Sequence, residues 1–134
     1  MAKTERRRKA ASPEKRRGTK LPKFIELAVR AAEEKQALDI TVLDLKKAHG
    51  FTDYFVICTG TNTRQIRAIA DGITDALAET GSKPAHLEGY DRSEWVLVDY
   101  FDFVIHVFSP ETRAFYGLER LWGNAEQVAV PPAR

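Results

Sequence analysis

A single cysteine, Cys58, in 134 residues excludes an intrachain disulfide, so nothing ties the fold to an oxidising compartment. Cys58 sits inside the apolar run Tyr54 to Cys58 with no histidine or basic residue beside it to lower its pKa. It reads as core filler rather than as a reactive thiol. No apolar stretch approaches the length of a membrane span, and the basic N-terminus is not followed by the apolar segment of a signal peptide. The expectation is a soluble cytoplasmic protein with no membrane partner, no metal and no cofactor.

Large apolar residues are nearly missing from residues 1–20 (MAKTERRRKAASPEKRRGTK), which hold nine Lys/Arg against two Glu, a surplus of seven positive charges. The other 114 residues hold twelve Lys/Arg against seventeen Asp/Glu, a surplus of five negative charges that the formal net charge of +2 conceals. Residues 1–20 therefore read as a disordered basic arm. As a phosphate-seeking tail it would contact nucleic acid, and as a solubilising extension it would contact nothing. The acidic remainder suits a protein partner with a basic surface better than nucleic acid.

What is present is enough apolar surface for one domain over 21–127, followed by a loose tail at 128–134. Pro22 can open a helix whose stripe of Phe24, Leu27, Ala28 and Ala31 runs to about Gln36. DITVLDL (39–45) reads as a strand, and DYFVICTG (53–60) as a central strand covered on both faces. Asn62 and Gln65 fit a capping box ahead of the stripe Ile66, Ile69, Ala70, Ile73 and Leu77, with Gly81 past the helix end. A short strand around 85–88 follows, then a hairpin in EWVLVDYFDFVIHVF (94–108). Ser109-Pro110-Glu111 starts a third helix, held on the core by Ala114, Phe115, Leu118, Leu121 and Trp122. The order is α-β-β-α-β-β-β-α, an α/β fold with a mixed five-stranded sheet, packed helices and the second helix as a crossover.

If Phe101 and Asp102 form an even-length turn, Trp95 opposes Phe108, Leu97 opposes His106 and Asp99 opposes Val104, and opposed residues share a face. One hairpin face is then Val96, Val98, Tyr100, Phe103, Ile105 and Val107, apolar and turned to the helices. The other is Trp95, Leu97, Asp99, Val104, His106 and Phe108. Aromatics beside a carboxylate and an imidazole are the mixture of a protein-binding patch. The plainer reading makes Trp95 and Phe108 core aromatics and leaves His106 bonded to a backbone carbonyl.

DITVLDL, DYFVICTG, RQIRAIAD, Glu88-Gly89, EWVLVDYFDFVIHVF and RAFYGLERLWG together closely resemble the bacterial ribosomal silencing factor family, also called the Iojap family, over residues 36–127. The resemblance implies a nucleotidyltransferase-like fold without catalysis, a homodimer, and binding to ribosomal protein fourteen of the large ribosomal subunit. Such binding blocks an intersubunit bridge and damps translation under nutrient limitation. The family's patterned surface falls here on Glu88, Trp95, Asp99, Asp102, His106, Arg113 and Tyr116. Trp95, with Phe108 and Leu97, would be the apolar anchor, and Glu88, Asp99 and Asp102 would meet Lys/Arg of the partner. The family usually has glycine where Phe101 stands. A bulky residue at that turn costs ~1 kcal/mol or more, and the placement of Asp102 follows from how the turn resolves it. Asn124 replaces a commoner aspartate.

Two rival classes remain. Gly60-Thr61-Asn62, between a strand and a helix, could dock phosphate in a nucleotidyltransferase. That chemistry needs two carboxylates one residue apart on a strand to share Mg²⁺, and this chain has no such pair. An RNA-binding module acting through the basic arm, in contact with ribosomal RNA, is the second.

Overall fold

The computed structural model describes residues 21–48, 51–123 and 125–130. The arm at 1–20, Asn124 and the end of the tail lie outside them. The chain forms α1 (Lys23–Glu34), β1 (Leu38–Asp44), β2 (Tyr54–Thr59), α2 (Thr63–Ala78), β3 (His86–Glu88), β4 (Trp95–Asp99), β5 (Phe103–Phe108), α3 (Pro110–Tyr116), α4 (Leu118–Leu121) and β6 (Glu126–Val128).

The expected five strands are six, in the order β3-β4-β5-β2-β1-β6. The addition is β6, at the junction of the domain and the tail, where Val128 pairs with Val42 and is buried. A three-residue edge strand has too short an apolar pattern to stand out in sequence. Strand β2 is buried at all six positions: it lies inside the sheet, with β1 on one side and β5 in parallel on the other, and the two cores cover its two faces. The parallel pair is made possible by α2, which crosses from the end of β2 to β3 at the far edge.

Helices α1 and α2 cover one sheet face. Ile25, Ala28, Val29 and Ala32 of α1 and Ile66, Ile69, Ile73 and Leu77 of α2 meet Val56, Val96, Val98, Ile105 and Val107. Each fully buried Ile or Leu contributes about 1.5–3 kcal/mol over its exposed state. Asn62 caps α2 by accepting from the Gln65 amide at 2.8 Å. The Gln65 side chain then accepts from the Thr61 amide at 2.7 Å and donates to the carbonyls of Lys35 and Gln36, tying the start of α2 to the end of α1. Cys58 is buried in this core, where desolvation pushes its thiol up to about 12, as an inert filler requires.

The third helix departs from expectation. Gly117 takes the left-handed conformation (φ 56°) and splits it into α3 and α4. Periodicity through an intact helix put Ala114, Phe115 and Leu121 on the core; with the helix broken, all three are exposed. Leu118 and Trp122 do pack inward, against a second, smaller core on the other sheet face with Leu43, Leu45, Phe55, Ile57, Val104 and Phe108.

Candidate functional site

The hairpin pairs in the expected register, Trp95 with Phe108, Leu97 with His106 and Asp99 with Val104. Its turn is the expected two-residue one: the Tyr100 amide donates to the Phe103 carbonyl at 2.9 Å. Phe101 accepts φ 72°, and the Asp102 amide closes a γ-turn around it onto the Tyr100 carbonyl at 2.9 Å. Three neighbours hold this conformation. Thr52 Oγ1 donates to the Phe101 carbonyl at 2.6 Å, Asp99 Oδ1 accepts from the Phe101 amide at 2.8 Å, and the Asp53 amide donates to the Asp102 carbonyl at 2.9 Å. Asp102 is therefore exposed but fixed at the hairpin tip.

Strand β3 widens the mixed face. Glu88 opposes Leu97 and His86 opposes Asp99, so both share the face of Trp95. The face divides into an open half and a covered half. On β3 and β4, Glu88 is exposed and Trp95, Leu97 and Asp99 are half-buried. On β5, the second core covers the strand, leaving Phe108 at 1% exposure and His106 at 3%. Both were expected on the surface of a binding patch, and both are buried beneath the face instead. Alternation identifies the face of a strand but not which half a later segment of chain covers.

Trp95 is the centre of the cluster. Its ring lies 4.9 Å from Phe108 and 4.7 Å from Tyr116, and its Nε1–H donates to Nδ1 of His106 at 3.0 Å. Trp95 is half-buried, packed on Phe108 and His106 and flanked by Tyr116. Tyr116, at 51% exposure, extends the open flank from α3. Burial pushes the His106 imidazole down to about 3, so the ring is neutral. The His106 bond to an indole replaces the backbone carbonyl of the plainer reading.

Arg113 is not free to meet a partner. Its guanidinium donates to Glu119 Oε2 at 2.6 Å, to the Asp39 carbonyl and Thr59 Oγ1 at 2.8 Å each, and to Thr41 Oγ1 at 3.2 Å. With its side chain 13% exposed, it is an internal cross-link between α3 and the ends of β1 and β2. Charge alone could not reveal this in sequence, because three of the four acceptors are a carbonyl and two hydroxyls far along the chain.

A residue absent from the expected set braces the loop that delivers Trp95. Arg67 of α2 donates to Ser93 Oγ at 2.7 Å, to the Asp91 carbonyl at 2.6 Å and to the Tyr90 carbonyl at 3.3 Å. The Tyr90 hydroxyl donates to Asp71 at 3.0 Å. Nothing in the pattern of α2 marks Arg67 beyond its place opposite the apolar stripe.

The rival phosphate site at Gly60-Thr61-Asn62 is occupied by the protein itself. Asn62 and the Gln65 side chain take the amides there, and Gly60 is required because a Cβ would meet the Ile66 side chain. Among the described residues no group of His, Cys, Asp and Glu is arranged to hold a metal ion. No helix among them is long and apolar enough to cross a membrane.

The open half of the face thus holds Trp95, Leu97 and Tyr116 beside Glu88, Asp99 and Asp102, while Arg67 and Arg113 are bonded to the fold itself. The profile of the family described as "ribosomal silencing factor during starvation" matches residues 19–134. The ribosomal silencing factor of Bacillus subtilis is 43% identical over 102 residues, 76% of this chain and 86% of that protein. The mouse protein named for mitochondrial assembly of the ribosomal large subunit is 37% identical over 101 residues, 73% of this chain and 44% of its own length. A crystal structure of a protein from Chromobacterium violaceum superposes with a TM-score of 0.73 at 34% identity, covering 82% of this chain and 91% of that one. The chain belongs to the ribosomal silencing factor family.

Proposed function

We propose that this protein is a cytoplasmic repressor of translation. It binds the large ribosomal subunit at ribosomal protein fourteen and blocks joining of the small subunit under nutrient limitation. It acts by occupancy, without a catalysed reaction or a cofactor. The observation that carries this reading is the half-open Trp95 anchor, flanked by Tyr116 and Leu97 and edged by Glu88, Asp99 and Asp102. Aromatic anchors supply most of the affinity of such patches, and acidic edges orient a Lys/Arg-rich partner. Family membership and the large subunit named in the mouse relative support the choice of partner.

Homodimerisation and a nucleotidyltransferase-like fold without catalysis belong to the same proposal. Phe115 and Leu121, at 79% and 72% exposure, are apolar surface that a second copy would cover. The test is cosedimentation of the purified protein with isolated large subunits in a sucrose gradient. Loss of the protein from the large-subunit peak at saturating concentration would overturn the reading.

The seven-charge surplus of residues 1–20 supports a second reading, an RNA-binding module acting through the arm. Deleting the arm separates the two. Under the first reading, large-subunit binding persists at physiological salt and weakens only at low salt. Under the second it disappears at physiological salt.

A further inference from the structure

We propose that His106 is a positioning residue for the Trp95 anchor: its Nδ1 accepts the indole N–H and locks the ring in the orientation that presents it on the open half of the face. This inference rests on the docking reading above.

Strand β5 places His106 directly opposite Leu97, so it reaches Trp95 along the diagonal of the hairpin. The 3.0 Å bond from Trp95 Nε1 fixes the tautomer, because an imidazole nitrogen that accepts leaves the proton on the other nitrogen. That other nitrogen, Nε2, is buried and has no partner among the described residues. The imidazole lies among rings, its centroid 4.5 Å from that of Phe55 and 6.0 Å from that of Phe108. A buried donor left unsatisfied destabilises a fold, and an apolar residue would pack in this site without that cost. The use of the imidazole here is thus the acceptor at Nδ1. The low proton affinity of the ring agrees, since protonation at Nδ1 would abolish the acceptor.

Three contacts then define the indole. Phe108 supports it at 4.9 Å, Tyr116 flanks it at 4.7 Å, and His106 sets its rotation by taking the N–H. A pre-oriented aromatic loses less freedom on binding, so the bond acts on affinity without touching the partner.

The test compares His106→Leu with His106→Asn, two side chains of similar size. Leu packs well and accepts nothing; Asn packs poorly and offers an oxygen near the place of Nδ1. Positioning predicts crossed orders: the Leu protein melts higher than the Asn protein but binds purified large subunits about tenfold more weakly than wild type, while Asn restores part of that loss. In spectra of ¹⁵N-labelled tryptophan, the Trp95 indole N–H resonance shifts and exchanges faster with solvent in the Leu protein and returns toward wild type in the Asn protein. His106→Phe, which keeps a ring without an acceptor, takes the place of Leu if that variant fails to fold. An unmoved Trp95 resonance, or affinity that follows melting temperature across the variants, overturns the proposal. Trp95→Ala, measured beside them, separates the two claims. If it binds large subunits like wild type, the docking reading has failed, and the resonance alone decides whether His106 orients the ring.

Discussion

The guanidinium of Arg113 and the carboxylate of Glu119 meet at 2.6 Å across the left-handed Gly117 that separates α3 from α4. The pair closes the break in the helix, and the other guanidinium nitrogens reach back to β1 and β2. Arg113→Ala should cost about 2–4 kcal/mol of stability, because it leaves a carboxylate, a carbonyl and two hydroxyls without their donor. Arg113→Lys should recover little, since a point charge does not serve four acceptors from one planar fork. Chemical denaturation of both variants checks this. Loss of ribosome binding at unchanged stability would instead return Arg113 to the contact surface.

Phe101 carries backbone strain that its neighbours impose. Phe101→Gly should raise stability by about 0.5–1 kcal/mol, the relief of a positive φ in a bulky residue less the extra freedom glycine gives the unfolded chain. The urea midpoint decides. A lower midpoint would mean that the ring, at 70% exposure, contributes contacts outweighing the strain.

The same hairpin shows what was legible in sequence. Its register and its two-residue turn followed from strict alternation around Phe101-Asp102, because a slip of one residue would expose Val96, Val98, Ile105 and Val107. The crossover helix was equally plain from the cap at Asn62 and the stripe beginning at Ile66. Strand β6 was not, since three residues carry no period. The third helix misled because Phe115 and Leu121 keep helical spacing across Gly117, whose conformation the pattern does not record. Within the site, Trp95, Leu97, Asp99, Glu88 and Tyr116 were placed together. The burial of His106 and Phe108 depends on the path of Leu118, Trp122 and Ala125, which is a tertiary fact.

Buried His106 makes stability depend on pH. Its proton affinity falls from the ordinary 6.5 to about 3 in the folded protein, through desolvation. The unfolded chain therefore takes up a proton below pH 6.5 while the folded one does not until about pH 3. The contribution is fully present above pH 6.5 and is lost as pH falls through that window, by up to about 1.4 kcal/mol per unit. Between pH 7 and pH 5 the wild type should lose about 2 kcal/mol that His106→Phe retains. Urea unfolding at the two pH values measures the difference, and parallel losses would contradict it.

Trp95→Ala should weaken large-subunit binding about thirtyfold, close to 2 kcal/mol, and also lower stability by about 2 kcal/mol, because the ring is only half-buried. Asp99→Asn should change the salt dependence of association. It should leave the melting temperature nearly unchanged, since an amide oxygen can still accept from the Phe101 amide. A Trp95→Ala protein that is strongly destabilised yet binds normally would assign the ring to the core alone.

On the proposed function, a large subunit that carries this protein cannot join a small one. The direct measurement mixes purified large and small subunits with increasing amounts of this protein and reads the joined particles in a sucrose gradient. The yield of joined ribosomes should fall in step with protein bound to free large subunits, and Trp95→Ala should need about thirtyfold more protein for the same effect. Undiminished joining with the large subunits saturated would contradict the account.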